Sequence, residues 1–240
     1  RSPSRGLGDV YKRQELGQPI YGEAAGDYSG SGTALSSDGT ILAIGAVSND
    51  GNGSHAGHVR VYQYTNNTWS QLGQDIDGEA AADYSGGALS LSSDGTIVAI
   101  SAVNNDGNGD KSGQVRVYQY TNNTWSQSGG DIDGEAAGDQ AGRWVSLSSD
   151  GSIVAIGAPY NDANGSASGH VRVYQRDTYK TVAVTDQNSA SFGPVGWTRL
   201  GQDIDGDVEN DIAGTSVSLS SSGSILAVGV PGYNRITGSQ

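Results

Sequence analysis

The sequence predicts an all-β protein, a partial β-propeller of four-stranded antiparallel blades, and three observations predict it. The first is a repeat: Ser-Ser-Asp-Gly places its aspartate at Asp38, Asp94 and Asp150, and Val-Arg-Val-Tyr-Gln begins at Val59, Val115 and Val171, 56 residues apart each time. Ile20, Ile76 and Ile132 keep that spacing, and then Trp125 to Trp197, Ile132 to Ile204 and Asp150 to Ser222 all stand 72 apart. One insertion of 16 residues, lying within 176–196, explains all three shifts, because the register resumes behind it. The second observation is that each repeat divides into four short strand-like runs with turn residues between them, and no segment carries a helical period. The third is that Thr96–Val103 is apolar at successive rather than alternate positions, so both faces of its sheet must be covered. A radial stack of four-stranded sheets meets that demand and leaves only short edges. A stacked β-solenoid is the alternative, with shorter repeats and no four-strand meander.

The second repeat justifies each element in order. Gly86–Ser93 alternates as a strand does, and Asp94-Gly95 reads as a two-residue hairpin. Thr96–Val103 is the β-branched second strand, Asn104–Gly113 a loop rich in Asn, Asp and Gly, and Gln114–Tyr120 the third strand. The chain turns through Asn122-Asn123 into a fourth strand from Trp125 to near Ile132. Complete blades are therefore expected at about 30–76, 86–132 and 142–204, and a half blade at 214–231. Residues 15–20 are expected to be the outer strand of a preceding blade. A propeller closes with about 4–8 blades, so residues 15–240 read as about half of one.

Composition excludes several functions. The chain has 240 residues, 38 of them Gly, no Cys, no Met and a net charge of −13. The acidity argues against nucleic acid, which needs a basic surface. No apolar stretch approaches the ~18 residues of a membrane span, so no membrane insertion is expected. Without Cys there are no disulfides and no thiolate chemistry. Residues 1–14 hold Arg1, Arg5, Lys12 and Arg13 against a single acid, Asp9, and match nothing later. They read as the translated adaptor tail found on some environmental sequence fragments, or as a short basic linker.

Gly157–Tyr174, GAPYNDANGSASGHVRVY, resembles the FG-GAP repeat family, the blades of integrin α-chain propellers and of many bacterial surface proteins. The likeness extends over 15–231. Gly-Ala-Pro is intact at Gly157-Ala158-Pro159 and drifts to Gly45-Ala46-Val47, Ser101-Ala102-Val103 and Gly229-Val230-Pro231. The Phe-Gly of the family becomes Tyr28-Ser29-Gly30, Tyr84-Ser85-Gly86 and Gln140-Ala141-Gly142. The resemblance implies a propeller used for adhesion or ligand recognition, extracellular or at the cell surface. The family's calcium loop between the first two strands does not carry over. The short Ser-Ser-Asp-Gly-Thr turn cannot wrap a shell of about six to eight oxygens.

The repeat sorts the remaining acids onto one face. The loops joining the fourth strand to the next blade hold Asp75, Asp77, Glu79 and Asp83, then Asp131, Asp133, Glu135 and Asp139, then Asp203, Asp205, Asp207 and Asp211. The loops between the second and third strands add Asp50, Asp106, Asp110 and Asp162. The alternating carboxylates suit calcium or a cationic ligand, and they equally suit turn capping and solubility. No cofactor is expected. Arg60, Arg116 and Arg172 recur at one position in the third strand. Their stems are expected to pack between blades and their heads to meet a repeated carboxylate. Trp69, Trp125 and Trp197 are expected to wedge adjacent blades, with an aromatic sugar platform as the alternative. His58 and His170 share a position that Gln114 fills in the second blade; a metal site would not survive that exchange, so no metal is expected there and both are expected to face solvent. The insertion is expected to extend the hairpin of the third blade off the less acidic face.

The expectation is a non-enzymatic recognition module for a protein or glycan ligand. An accessory propeller of a secreted hydrolase or lyase, or structural filler in a repeat protein, are the alternatives.

Overall fold

The computed structural model describes residues 15–232. The basic segment 1–14 and residues 233–240 lie outside the described residues. Three sheets repeat one plan. The first contains β1 (Ser29–Leu35), β2 (Ile41–Ala46), β3 (His58–Thr65), β4 (Thr68–Gln71) and β5 (Ile76–Asp77). The second contains β6 (Ser85–Leu91), β7 (Ile97–Ala102), β8 (Gln114–Thr121), β9 (Thr124–Gln127) and β10 (Ile132–Asp133). The third contains β11 (Trp144–Leu147), β12 (Ile153–Ala158), β13 (His170–Arg176), β14 (Trp197–Arg199) and β15 (Ile204–Asp205). β16 (Ser216–Leu219) and β17 (Leu226–Gly229) form the two-stranded start of a fourth. All pairings within these sheets are antiparallel. No helix occurs among the described residues, and so none is long and apolar enough to cross a membrane.

The sheets stack face against face as propeller blades, with the first strands innermost: β1 lies against β6, β6 against β11 and β11 against β16. The apolar second strands explain why. In β7, Ile97 and Ala99 join the core shared with the third blade, whereas Val98 and Ile100 join the core shared with the first. Successive side chains of a strand point to opposite faces, so an uninterrupted apolar run supplies two cores at once. β8 obeys the same rule, with Val115 and Val117 on the side of the third blade and Tyr118 on that of the first.

Close approach of backbones draws the blades together. A Cβ built on Gly45 of β2 would fall on the carbonyl of Gly86 in β6, and Gly157 of β12 stands in the same relation to Gly214. Glycine is required there by contact with the next blade. The Ser-Ser-Asp-Gly turns also stack: Ser37 N donates to Ser93 O at 2.9 Å, Ser93 N to Ser149 O at 2.7 Å and Ser149 N to Ser221 O at 2.8 Å.

The turn itself differs from the expected two-residue hairpin. Ser92 N bonds Ile97 O at 2.9 Å, leaving four residues inside that closing pair. The physical reason is the Asp94 carboxylate, which accepts from Ser92 Oγ, Thr96 N and Thr96 Oγ1 at 2.6, 3.0 and 2.9 Å. A tighter turn would forgo these bonds.

The fourth strand is also not continuous. β4 pairs with the outer half of β3 and β5 with its first two residues. Residues 72–75 bulge away between them and clamp the next blade. Gln74 Nε2 donates to Trp125 O at 2.8 Å, Trp125 N to Gln74 Oε1 at 3.1 Å and Trp125 Nε1 to Leu72 O at 2.7 Å. Residues 15–20, expected as an outer strand, form none. Gln18 and Leu16 instead hold Trp69 through the same three bonds at 2.7, 3.1 and 2.8 Å. Trp125 and Trp197 are buried, which removes them as a sugar platform and makes them blade wedges.

Candidate functional site

The site is built on the third strand of each blade. Because side chains alternate, Gln114, Arg116 and Tyr118 all face the first blade. Arg116 Nη2 donates to Asp77 O at 2.8 Å, its Nη1 lies 3.5 Å from Glu79 Oε1, and its guanidinium sits 5.5 Å from the centre of the Tyr118 ring. Arg60 repeats this with Tyr21 O at 2.8 Å and Glu23 Oε1 at 3.5 Å. The repeated carboxylate expected to meet the arginines is thus Glu23, Glu79 and Glu135.

The third blade elaborates the theme. Arg172 pairs closely with Glu135 and donates from Nε and Nη2 to Asp203 at 2.9 and 2.8 Å. Arg199 Nη1 adds a bond to Asp203 Oδ1 at 2.8 Å. Burial opposes the Arg172 charge, but the Asp203 hydrogen bond and the surrounding negative charges raise its pKa above the ordinary value. Burial also works against the Asp203 carboxylate, and the two arginines hold its pKa below the usual range. Tyr174, behind them, is pushed up to about 12, chiefly by burial.

The insertion departs from expectation. It does not run off the less acidic face. It folds back along the outside of β14, where Arg199 N bonds Phe192 O at 2.8 Å and Val184 and Gly193 form an antiparallel bridge. The reason is the pair of arginines. Phe192 lies 5.3 Å from Arg172 and 4.9 Å from Arg199, and the Gln187 carbonyl accepts from Arg199 Nη2 at 2.6 Å. Stacking on two cations anchors the loop where the acids are.

The returning loop roofs a cleft of about 410 Å³ over the acidic connection of the second blade, lined by Asp131, Asp133, Glu135, Asn108, Arg172 and Phe192 among others. Asp131 and Asp133 also line a second cleft of about 330 Å³ with Glu79, Asp106 and Gln114. These two aspartates form a ridge between the clefts. Asp131 Oδ1 accepts from Gln127 Nε2 at 2.7 Å and Asp133 Oδ1 from Gln114 Nε2 at 3.2 Å. Neither makes an ion pair among the described residues. Burial, followed by the charges of Asp131 and Glu79, raises the pKa of Asp133 against the Gln114 hydrogen bond.

The other acids have different work. Asp83, Asp139 and Asp211, expected among the binding candidates, are buried and serve the fold. Asp83 Oδ2 accepts from Ala80 N at 3.1 Å and from Asn105 Nδ2 of the facing loop at 3.0 Å. Asp139 repeats this with Ala136 N at 3.1 Å and Asn161 Nδ2 at 2.9 Å. Asp211 caps Asp207 N and Val208 N at 2.8 and 3.0 Å. Asp106 braces its own loop through Lys111 N at 2.8 Å, Asp75 accepts from Gln71 Nε2 at 2.5 Å, and Asp203 is neutralised by the two arginines. Asp77, Asp110, Asp205 and Asp207 remain exposed. The carboxylates of each connecting loop therefore point to separate partners and do not converge as one calcium shell.

His58 and His170 do not face solvent; they are 2% and 3% exposed. The third strand starts inside the blade interface, and carboxylates of the connecting loops make a polar side chain acceptable there. Gln187, Phe192 and Asn108 are cleft residues that sequence reasoning missed. The first two lie in the one segment with no counterpart in other repeats, and Asn108 is one of many loop asparagines.

No protein-family model and no curated protein matches the chain. Among solved structures, it is similar to a candidate 6-phosphogluconolactonase from Bacteroides uniformis, with a TM-score of 0.48 and 14% identity over 82% of this chain and 46% of that one. Sqt1 of Saccharomyces cerevisiae gives a TM-score of 0.42 and 11% identity over 77% and 38%. Hydrazine synthase of Kuenenia stuttgartiensis gives 0.39 and 13% over 84% and 61%. The chain spans less than two thirds of each of these structures.

Proposed function

We propose that the protein is a recognition module, not an enzyme, and that it binds a protein ligand by drawing a lysine or arginine side chain into the cleft beneath the inserted loop. One observation carries the reading: Asp131 and Asp133 stand together at the cleft with amide donors only, while Glu135 and Asp203 beside them are neutralised by arginine. Two uncompensated, partly desolvated carboxylates attract a cation more strongly than dispersed surface acids do. The Asp133 pKa, raised chiefly by burial, fits a group that a bound cation would relieve. The net charge of −13 supports attraction of basic partners and opposes binding to nucleic acid. The resemblance of Gly157–Tyr174 to FG-GAP blades supports a setting in adhesion, outside the cell or at its surface.

Calorimetry with tetralysine and tetraarginine peptides tests the reading. Binding should weaken at least ~10-fold in Asp131→Asn/Asp133→Asn, the loss of one charge-assisted contact. Equal affinity in wild type and the double variant, or binding confined to neutral glycans on an array, would overturn it.

A further inference from the structure

The histidines buried between blades carry an inference beyond ligand recognition. We propose that Glu135, His170 and Asp205 form a site for a divalent transition-metal ion between the second and third blades, and that Glu23, His58 and Asp75, whose aspartate aligns with Asp203 and not with Asp205, form a second such site at the inner end of the first blade.

The second blade serves as an internal control. There Gln114 Nε2 bridges the two carboxylates directly, with Glu79 Oε2 at 3.1 Å and Asp133 Oδ1 at 3.2 Å. In the third blade the equivalent nitrogen, His170 Nδ1, stands back at 3.4 Å from Glu135 Oε2 and 3.9 Å from Asp205 Oδ1. It is buried and has no hydrogen-bond partner, although it is aimed into the carboxylates. In the first blade His58 Nδ1 is 3.9 Å from Glu23 Oε2 and 4.0 Å from Asp75 Oδ2. The gap opens at both histidines and closes at the glutamine. Ligands bonded at about 2.1 Å lie roughly 3–3.5 Å apart around a tetrahedral ion; the ligand atoms of Glu23, His58 and Asp75 lie within 4.8 Å of one another and need small inward shifts, whereas in the third blade both carboxylates must close on His170 from 3.4 and 3.9 Å.

The donor chemistry selects the ion. Each site pairs one imidazole nitrogen with two carboxylates, which suits zinc, cobalt or nickel; calcium takes oxygen alone. The neighbouring groups leave these donors free. Arg172 occupies Glu135 Oε1 and, with Arg199, both Asp203 oxygens, so Asp203 is spent although it lies in the cluster. Glu135 Oε2 accepts one bond, from Asn161 Nδ2 at 3.2 Å, and retains a second lone pair. Asp205 accepts no side-chain hydrogen bond among the described residues. Burial, with the charges of Asp203 and Glu135, raises its pKa, and the crowding of acids offsets the Arg172 charge. At His58 the competition is weaker, because Arg60 touches Glu23 only through Oε1 at 3.5 Å.

Cobalt(II) titration of the untagged, EDTA-treated protein, read by visible d–d absorption and by zinc calorimetry, tests the proposal. Gln occupies this position naturally in the second blade, so His58→Gln and His170→Gln should fold, and far-UV circular dichroism verifies it. Wild type should bind two ions with nitrogen-ligand absorption, each single variant one, and the double variant none above the weak background that calcium also shows. Two ions retained in His170→Gln would overturn the third-blade site, and two retained in His58→Gln the first-blade site. Absence of cobalt absorption and zinc heat in wild type would overturn both.

Discussion

At the residue scale, the most repeated device is the aspartate of the Ser-Ser-Asp-Gly turn. The Ser148 hydroxyl, then the Ser152 amide and hydroxyl, hold the Asp150 carboxyl below its ordinary value. Asp38 is lowered in the same way, and in Asp94 these bonds outweigh a burial effect of opposite sign. A carboxyl whose folded pKa is depressed contributes stability above the unfolded value, near pH 4, and loses it as pH falls through the folded value. Asp150→Asn should therefore lower the Tm at neutral pH and flatten its fall below about pH 4. A Tm-against-pH series checks this, and an acid limb as steep as in wild type would contradict it. In the half blade Ser222 already stands at this position, bonded to Ser224 at 2.7 Å, so that turn adds nothing to the acid limb. Arg116 belongs to the same scale. Arg116→Ala strands Glu79 and frees the Asp77 carbonyl, which should cost about 1.5–3 kcal/mol in chemical denaturation.

At the element scale, the second strands decide stability because each feeds two cores. Ile100→Ala should cost about 2–5 kcal/mol by leaving a cavity against the first blade. Ile225→Ala, at a side chain 70% exposed, should stay within about 0.5 kcal/mol. Comparison of the two denaturation midpoints separates blade packing from generic loss of hydrophobicity. The inserted loop is the other informative element. Replacing 177–196 with the Asn-Asn turn used by the first two blades should open the cleft and abolish tetralysine binding while the β-sheet dichroism persists. The strands themselves were legible in the sequence, since period, β-branched runs and Asn-Asn or Asp-Gly turns are local signals. The bulge at Leu72–Asp75 was not, because its cause is Trp125 in the next blade. The side chain of His170 lies inside the interface although its exchange for Gln114 in the second blade suggested solvent, because Glu135, 35 residues earlier, meets it there. The path of the insertion depended on Arg172 and Arg199 facing the same way, which no single repeat reveals.

At the scale of the whole molecule, acid is concentrated on one face and apolar surface between blades. The charge pattern was readable from the loop order, and so was the stacking, because TIVAIS cannot dry both faces in a single sheet. What the order could not show is which acids are spent on the fold, as Asp83 and Asp139 are, and which line a cleft without an ion pair, as Asp131 and Asp133 do. If attraction to those two drives recognition, tetralysine affinity should fall steeply with ionic strength, because the Debye length shrinks from about 10 Å at 0.1 M to about 3 Å at 1 M salt. Calorimetry across that range reads the slope.

The blades share cores side by side. Three turn glycines lie on an isoleucine of the preceding blade: Gly95 on Ile41, Gly151 on Ile97 and Gly223 on Ile153. Nuclear Overhauser effects between the isoleucine side chains and the glycine α-protons of these three pairs measure that arrangement directly. All three cross-peaks are expected. Intact strand contacts within every sheet, with none of the three cross-peaks, would contradict it.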